Sequence, residues 1–501
     1  MGLTQRMAPD RRVWLCGEVA EVVFSGVPEG CSAYIRTNHG CAVVRRREII
    51  GAMENDVDVI GRDWHDLPMT MVEPGLWSFR FPVTEVGIFE CKCFFVRDGR
   101  IVWARGDNLR FKVEPADYAG GNLLYCAFVR QFGPNCRRMF RDREADSELS
   151  SLDEKGYTVI PGSGTFRDLI AKLDFIFFEL GFRIIQLLPV HPTPVSFGRM
   201  GRFGSPFAAT DYFSVAQELA EFDPAASAME QFDELIDAVH ARGGKIFLDI
   251  PVNHTGWNSR LQTERPDLFV HDEQGRFVSP GAWGVVWADL CKLDYSKDDT
   301  VKLMSDVFLF WCRRGVDGFR CDAGYMLPER AWDYIVSKVR LEFPDTVFLL
   351  EGLGGPVPVQ ERLLGVSGLN WAYSELFQNY DRGAIEYYYN SIAPGCRSNG
   401  MLLNMAETHD NARLAAVSHQ WSKMRCAVNA MLSDAGLFGI TNGVEFFAEE
   451  KIDVHLDCGL NWGAEDNQVA FLRRINDILR YSSCFRSGAE WHFVQYGSGN
   501  F

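Results

Sequence analysis

The chain contains no run of eighteen apolar residues, no C-x-x-C pair, no P-loop and no H-E-x-x-H helix. Its one glycine-dense stretch, Gly352-Leu353-Gly354-Gly355, is too short for a dinucleotide fingerprint. The first absence argues against a membrane-spanning helix, and the others against a phosphate cradle, a zinc-protease site and a redox cofactor, so no cofactor is required. Basic residues are in deficit: 51 Lys and Arg stand against 67 Asp and Glu, a net charge of −16. That balance disfavours nucleic acid or an anionic membrane as partner and suits a neutral ligand. Residues 1–12 lack the apolar core of a secretory signal, so residence in the cytoplasm is expected. The fourteen cysteines are scattered through apolar segments, which reads as a reduced core and not as a disulfide framework.

What is present is a set of apolar runs that end in charge. Gly318-Phe319-Arg320-Cys321-Asp322 sets an arginine two residues before an aspartate, on the same face of a strand, where it would keep the carboxylate ionised. Thr346-Val347-Phe348-Leu349-Leu350 is continuously apolar, as a strand covered on both faces should be, and leads into Glu351. Met401-Leu402-Leu403-Asn404-Met405-Ala406 precedes Thr408-His409-Asp410. Lys245 to His254 repeats the pattern with Asp249, Asn253 and His254. Taken singly, a strand-end aspartate commonly caps a helix and a lone histidine is commonly structural. Polar residues at the carboxyl ends of several separate strands are instead what a barrel active site requires.

In this order the four segments resemble the motif regions of glycoside hydrolase family 13, the α-amylase family, over roughly residues 120–482. The resemblance implies Asp322 as nucleophile, Glu351 as general acid/base and Asp410 as the acid that distorts the sugar and stabilises the transition state. It also implies that Arg320 holds the nucleophile and that His254 and His409 bond sugar hydroxyls. Asp249 and Asn253 become structural residues bracing the loop above the third strand. The chain departs from the family pattern at three places. Tyr325 and Met326 stand where many amylases carry a lysine and a histidine that meet the leaving sugar. Phe207 stands where a tyrosine would stack on the sugar, and Thr408 replaces an asparagine. The acceptor side is therefore expected to differ from that of a simple amylase.

Cleavage with retention needs one ionised carboxylate below the ring and one protonated carboxyl beside the leaving oxygen. Apolar neighbours and nearby negative charge should raise the pKa of Glu351 and leave it protonated near neutrality. The expected ligand is α-glucan or malto-oligosaccharide, and the resemblance to glycogen-processing and debranching-type members points to a glycosidase or 4-α-glucanotransferase. Plain α-1,4 hydrolysis is the first alternative, and a non-catalytic glucan-binding or scaffolding protein the second. Asn253 and the acids of the segment after it offer oxygen atoms of the kind calcium takes, but such groups also cap helices and pair with cations, so a calcium site is not supported.

The expected architecture is α/β: a (β/α)8 barrel over 120–482, with a β-sandwich before it and a small subdomain inserted after the third strand. Residues 13–115 alternate as strands do, with Phe89, Cys91, Cys93 and Phe95 on one face and Asp98-Gly99 marking a hairpin. The resemblance implies that this part is an amino-terminal domain of the kind that positions glucan. Residues 255–298 are too long for an ordinary barrel loop and hold Trp257, Trp283, Trp287 and Asp289. Residues 483–501 read as the start of a carboxyl-terminal segment.

Overall fold

The computed structural model describes residues 2–157, 159–486 and 489. The amino-terminal part is built from two sheets. One has the strand order Thr4–Ala8, Val19–Ser25, Leu76–Pro82, Thr70–Glu73. The other runs Val13–Leu15, Leu109–Glu114, Gly87–Arg97, Ser32–Thr37, His65–Pro68, with Arg100–Trp103 paired to Gly87–Arg97. Phe89, Cys91, Cys93 and Phe95 point into a core shared with Val22, Phe24, Ile35 and Phe111. The turn between Arg97 and Arg100 places Asp98 at φ 51° and Gly99 at φ 71°, the left-handed pair that a two-residue hairpin demands.

Two features of this region differ from the sequence reading. The sheets begin at Thr4, ahead of residue 13, because the first strand lies at an edge and buries only Met7, which leaves little apolar alternation to detect. A helix, α1 (Ala42–Asn55), interrupts the strands; it buries only Ala42 and Ile50 and carries Arg45, Arg46 and Arg47, so it has almost no apolar stripe to betray it. Helix α1 joins the sandwich to the barrel. Glu54 at its end accepts hydrogen bonds from the Tyr334 hydroxyl at 2.7 Å and from Lys338 Nζ at 2.6 Å, both on barrel helix α2 (Glu329–Glu342).

Eight parallel strands close the barrel: β1 Leu123–Ala127, β2 Ile184–Leu187, β3 Lys245–Pro251, β4 Gly318–Asp322, β5 Val347–Leu350, β6 Trp371–Tyr373, β7 Met401–Met405 and β8 Phe438–Thr441. Alternation sorts each strand between two cores. Leu123, Tyr125 and Ala127 of β1 pack outward against the helices. Leu124 and Cys126 point inward with Phe247, Leu349, Trp371 and Leu403. The amino-terminal end of the barrel is plugged by Tyr118, whose ring meets Trp371 edge-on at 5.0 Å, and by Leu15 of the sandwich. The carboxyl ends of the strands are left free for chemistry.

The short helix Phe166–Ile170 begins with a reciprocal capping box between Thr165 and Asp168. Residues 255–298 form short elements beside the barrel mouth: His254–Gly256 pairs with Leu290–Lys292, and Gly281–Ala282 pairs with Val285–Val286. The second hairpin turns on Trp283 at φ 51° and Gly284 at φ 78°. Apart from Ser483–Arg486 and Ala489, the segment 483–501 lies outside the described residues. No helix among the described residues is long and apolar enough to cross a membrane.

Candidate active site

The register of β3, β4 and β5 sets the centre of the site. Asp249 lies opposite Arg320, Pro251 opposite Asp322, and Cys321 opposite Leu350. Arg320 is buried at the barrel mouth, and its Nη1 donates to Asp249 Oδ2 at 2.7 Å and to Asp322 Oδ1 at 2.9 Å. Its guanidinium lies 5.7 Å from the Phe207 ring centroid and 5.6 Å from that of Tyr373. Asp249 therefore orients the arginine inside the barrel and does not brace the loop above β3, because its cross-strand neighbour is Arg320 itself. Asn253 turns to Met326, its Nδ2 lying 3.1 Å from Sδ.

Glu351 follows the last residue of β5. Its two carboxyl oxygens accept backbone N–H bonds from Ala323 at 2.9 Å and from Leu353 at 3.0 Å. The first bond places the carboxyl on the residue that follows Asp322. Ala323 sits at φ 52°, ψ 28°, a left-handed conformation that costs an alanine roughly 1–2 kcal/mol. Strain of this kind is maintained where the surrounding structure holds it in place. Burial pushes the Glu351 carboxyl up to about 7, and the Asp322 charge adds to the rise against the pull of Arg320.

The other residues close around this pair. His254 Nε2 lies 3.9 Å from Asp322 Oδ2, and burial pushes the ring down, towards the neutral form. His409 Nε2 is 3.4 Å from Asp410 Oδ2. Burial lowers the His409 pKa while the histidine holds Asp410 below the usual carboxylate range, a pair whose acid is ionised at neutral pH. Asp410 is 70% exposed and faces the opening. Phe207 stacks on the His409 ring at 5.5 Å and 19°. The Tyr325 hydroxyl is buried with no hydrogen-bond partner among the described residues, and burial pushes it up to about 12.

All eight residues expected to act on the sugar, Arg320, Asp322, Glu351, His254, His409, Asp410, Phe207 and Tyr325, line one cavity of about 480 Å³. Trp283 and Trp287 of the inserted segment line it as well, whereas Trp257 packs between Phe277 of the same segment and Phe197 of the loop after β2. Trp283 Nε1 donates to the Gly354 carbonyl at 3.3 Å, so the hairpin tip reaches the loop after β5. Val454 and His455, from the loop after β8, also line the cavity. Sequence reasoning passed over them, because no periodicity marks that loop. A second cavity of about 460 Å³, with Arg141, Lys451 and Asp453 in its wall, adjoins the first and shares His409, Asp410, Val454 and His455 with it. Among the described residues, no group of three or more His, Cys, Asp or Glu side chains is placed to hold a metal ion.

The arrangement can attack an anomeric carbon from Asp322 and protonate the departing oxygen from Glu351. No family model matches the chain. It is 27% identical over 328 residues to an α-1,4-glucan:maltose-1-phosphate maltosyltransferase of Cereibacter sphaeroides, covering 61% of this chain and 47% of that one. It is 24% identical over 511 residues to the enzyme of the same name from Rhodospirillum rubrum, covering 83% and 71%. The chain spans about half the length of the first of these curated relatives. Among solved structures it superposes on an α-amylase from Lactobacillus plantarum with a TM-score of 0.55, 22% identity, and coverage of 73% and 81%. A trehalose-6-phosphate hydrolase from Bacillus licheniformis gives 0.51, 17% identity, and 66% of each chain. These neighbours share the barrel fold, and with the sequence relatives they bear out the resemblance to the α-amylase family.

Proposed function

We propose that the chain is a retaining enzyme of the α-amylase family that acts on α-glucan through a glycosyl-enzyme, with transfer to a sugar acceptor as its main outcome. The observation that carries this reading is the Asp322–Arg320–Glu351 arrangement: one carboxylate held by a guanidinium, and one carboxyl whose pKa is pushed to about 7. Asp322 attacks the anomeric carbon as the glycosidic bond breaks, and the leaving oxygen takes the Glu351 proton. Glu351, now a carboxylate, removes the proton of an acceptor hydroxyl. That oxygen then attacks the anomeric carbon and releases Asp322.

The maltosyltransferase relatives favour transfer over hydrolysis, and maltose 1-phosphate is the donor to try beside malto-oligosaccharide. Phe207 in place of a tyrosine, and the uncharged Tyr325 and Met326 after the nucleophile, leave an acceptor side suited to stacking and neutral hydroxyls. The buried cysteines, whose thiols burial pushes up, suit the reducing cytoplasm. Incubation with maltopentaose tests the reading. Longer and shorter chains at constant reducing ends mean transfer. Rising reducing ends mean the plain α-1,4 hydrolase, and binding without turnover of either donor means a scaffold.

A further inference from the structure

Remote from the cleft, α1 and β-strand Gly87–Arg97 of the sandwich meet α2 of the barrel and leave a cavity of about 120 Å³ between them. Arg45, Arg46 and Arg340 line it, with Asp333 as its one carboxylate and Ser337 on its wall. The two deeper arginines have no carboxylate partner among the described residues. Arg46 donates to the backbone carbonyls of Arg340 at 2.9 Å and Val86 at 2.6 Å. Arg340, 3% exposed, donates to the Gly368 carbonyl at 2.9 Å and to Asn370 Oδ1 at 2.6 Å, and its Nε has no partner among the described residues.

Buried guanidiniums normally face carboxylates or phosphates, because an unpaired buried charge is costly. Here burial pushes Arg46 down, and Arg340 down to about 10. Nearby acids act on these arginines without pairing with them among the described residues. Glu85 pulls on Arg46 but accepts from the Ala42 N–H at 3.1 Å, Asp345 and Glu114 pull on Arg340, and Glu114 is paired with Lys112 at 2.9 Å. Arg45 reaches Asp63 only at 3.9 Å. Burial pushes Asp333 upward, which weakens it as a counter-ion.

We propose that this cavity is an anion site that takes a phosphate group between the sandwich and the barrel. Its size suits a tetrahedral oxyanion, and planar guanidiniums match phosphate oxygens. The occupant would neutralise Arg46 and Arg340 together and tie α1 to α2, so the site couples phosphate level to the rigidity of the joint. None of its lining residues belongs to the cleft, and the inference does not depend on the reaction assigned there.

The test is thermal unfolding and calorimetric titration of the full chain with inorganic phosphate, with chloride at matched ionic strength as control. A saturable rise in melting temperature and binding of one phosphate per chain are expected, unchanged in Asp322→Asn. Arg46→Met should abolish both. Should that variant fail to fold, Ser337→Asp gives the second reading: it places a carboxylate in the cavity, so it should melt higher without phosphate and no longer respond to it. Glucose 1-phosphate separates the sources: competition assigns the phosphate of an ester, and failure to compete assigns the free ion. A rise that does not saturate, that chloride reproduces, or that persists in Ser337→Asp would overturn the proposal.

Discussion

Glu351→Gln should lower turnover by orders of magnitude and, above neutral pH, make the protein more stable. In the folded chain burial holds the carboxyl at about 7, against an ordinary 4.5. That rise is worth ~3 kcal/mol in favour of the protonated form. The folded state therefore binds the proton more tightly than the unfolded chain, and the penalty for ionising Glu351 is absent below pH 4.5, grows as pH rises, and is complete above 7. A glutamine escapes this penalty. It has only one acceptor oxygen, however, for the two N–H groups of Ala323 and Leu353, and losing one of those bonds costs about 1 kcal/mol. The expected balance is a loss of about 1 kcal/mol near pH 4.5 and a gain of about 2 kcal/mol at pH 8.5. Urea unfolding at the two pH values measures it. Activity should fall by about 10²–10⁴-fold, the usual contribution of general acid–base catalysis. A stability difference that does not change sign between those pH values would refute the assignment of a buried, protonated carboxyl.

In the wild-type chain kcat/KM should fall as pH rises through about 7, since the proton Glu351 donates is lost there; a rate still climbing at pH 8.5 would contradict that role. Asp322→Asn should lower turnover of maltopentaose by orders of magnitude while leaving the melting temperature within a few degrees, read by product chromatography and circular dichroism. Trp283→Ala removes an exposed ring from the cavity wall and should raise KM about tenfold with little change in kcat, since a stacking contact made in both ground and transition states affects binding alone. Lys112→Met strands the fully buried Glu114 and should cost ~3–5 kcal/mol in urea unfolding.

Much of the barrel was legible because its strands are buried on both faces and read as continuous apolar runs. The residues at their carboxyl ends stood out for the same reason: Asp322 and Glu351 interrupt those runs with charge, and Asp410 lies in the polar stretch that follows β7. Helix α1 was not legible, because its contribution is two acceptor contacts at Glu54 and an arginine cluster, neither of which leaves an apolar period. The partnership of Asp249 with Arg320 depends on cross-strand register, which spacing along one strand does not report. Val454 and His455 reach the cleft from a loop whose path is set by tertiary contacts alone.

The bond from Trp283 to the Gly354 carbonyl bears on how a polymer meets this site. Trp283 stands in the cavity wall and Gly354 follows Glu351 by three residues. The ring and the carboxyl are thus fastened to one another through a single bond, and a ligand that pushes the hairpin outward also pulls on the loop that carries Glu351.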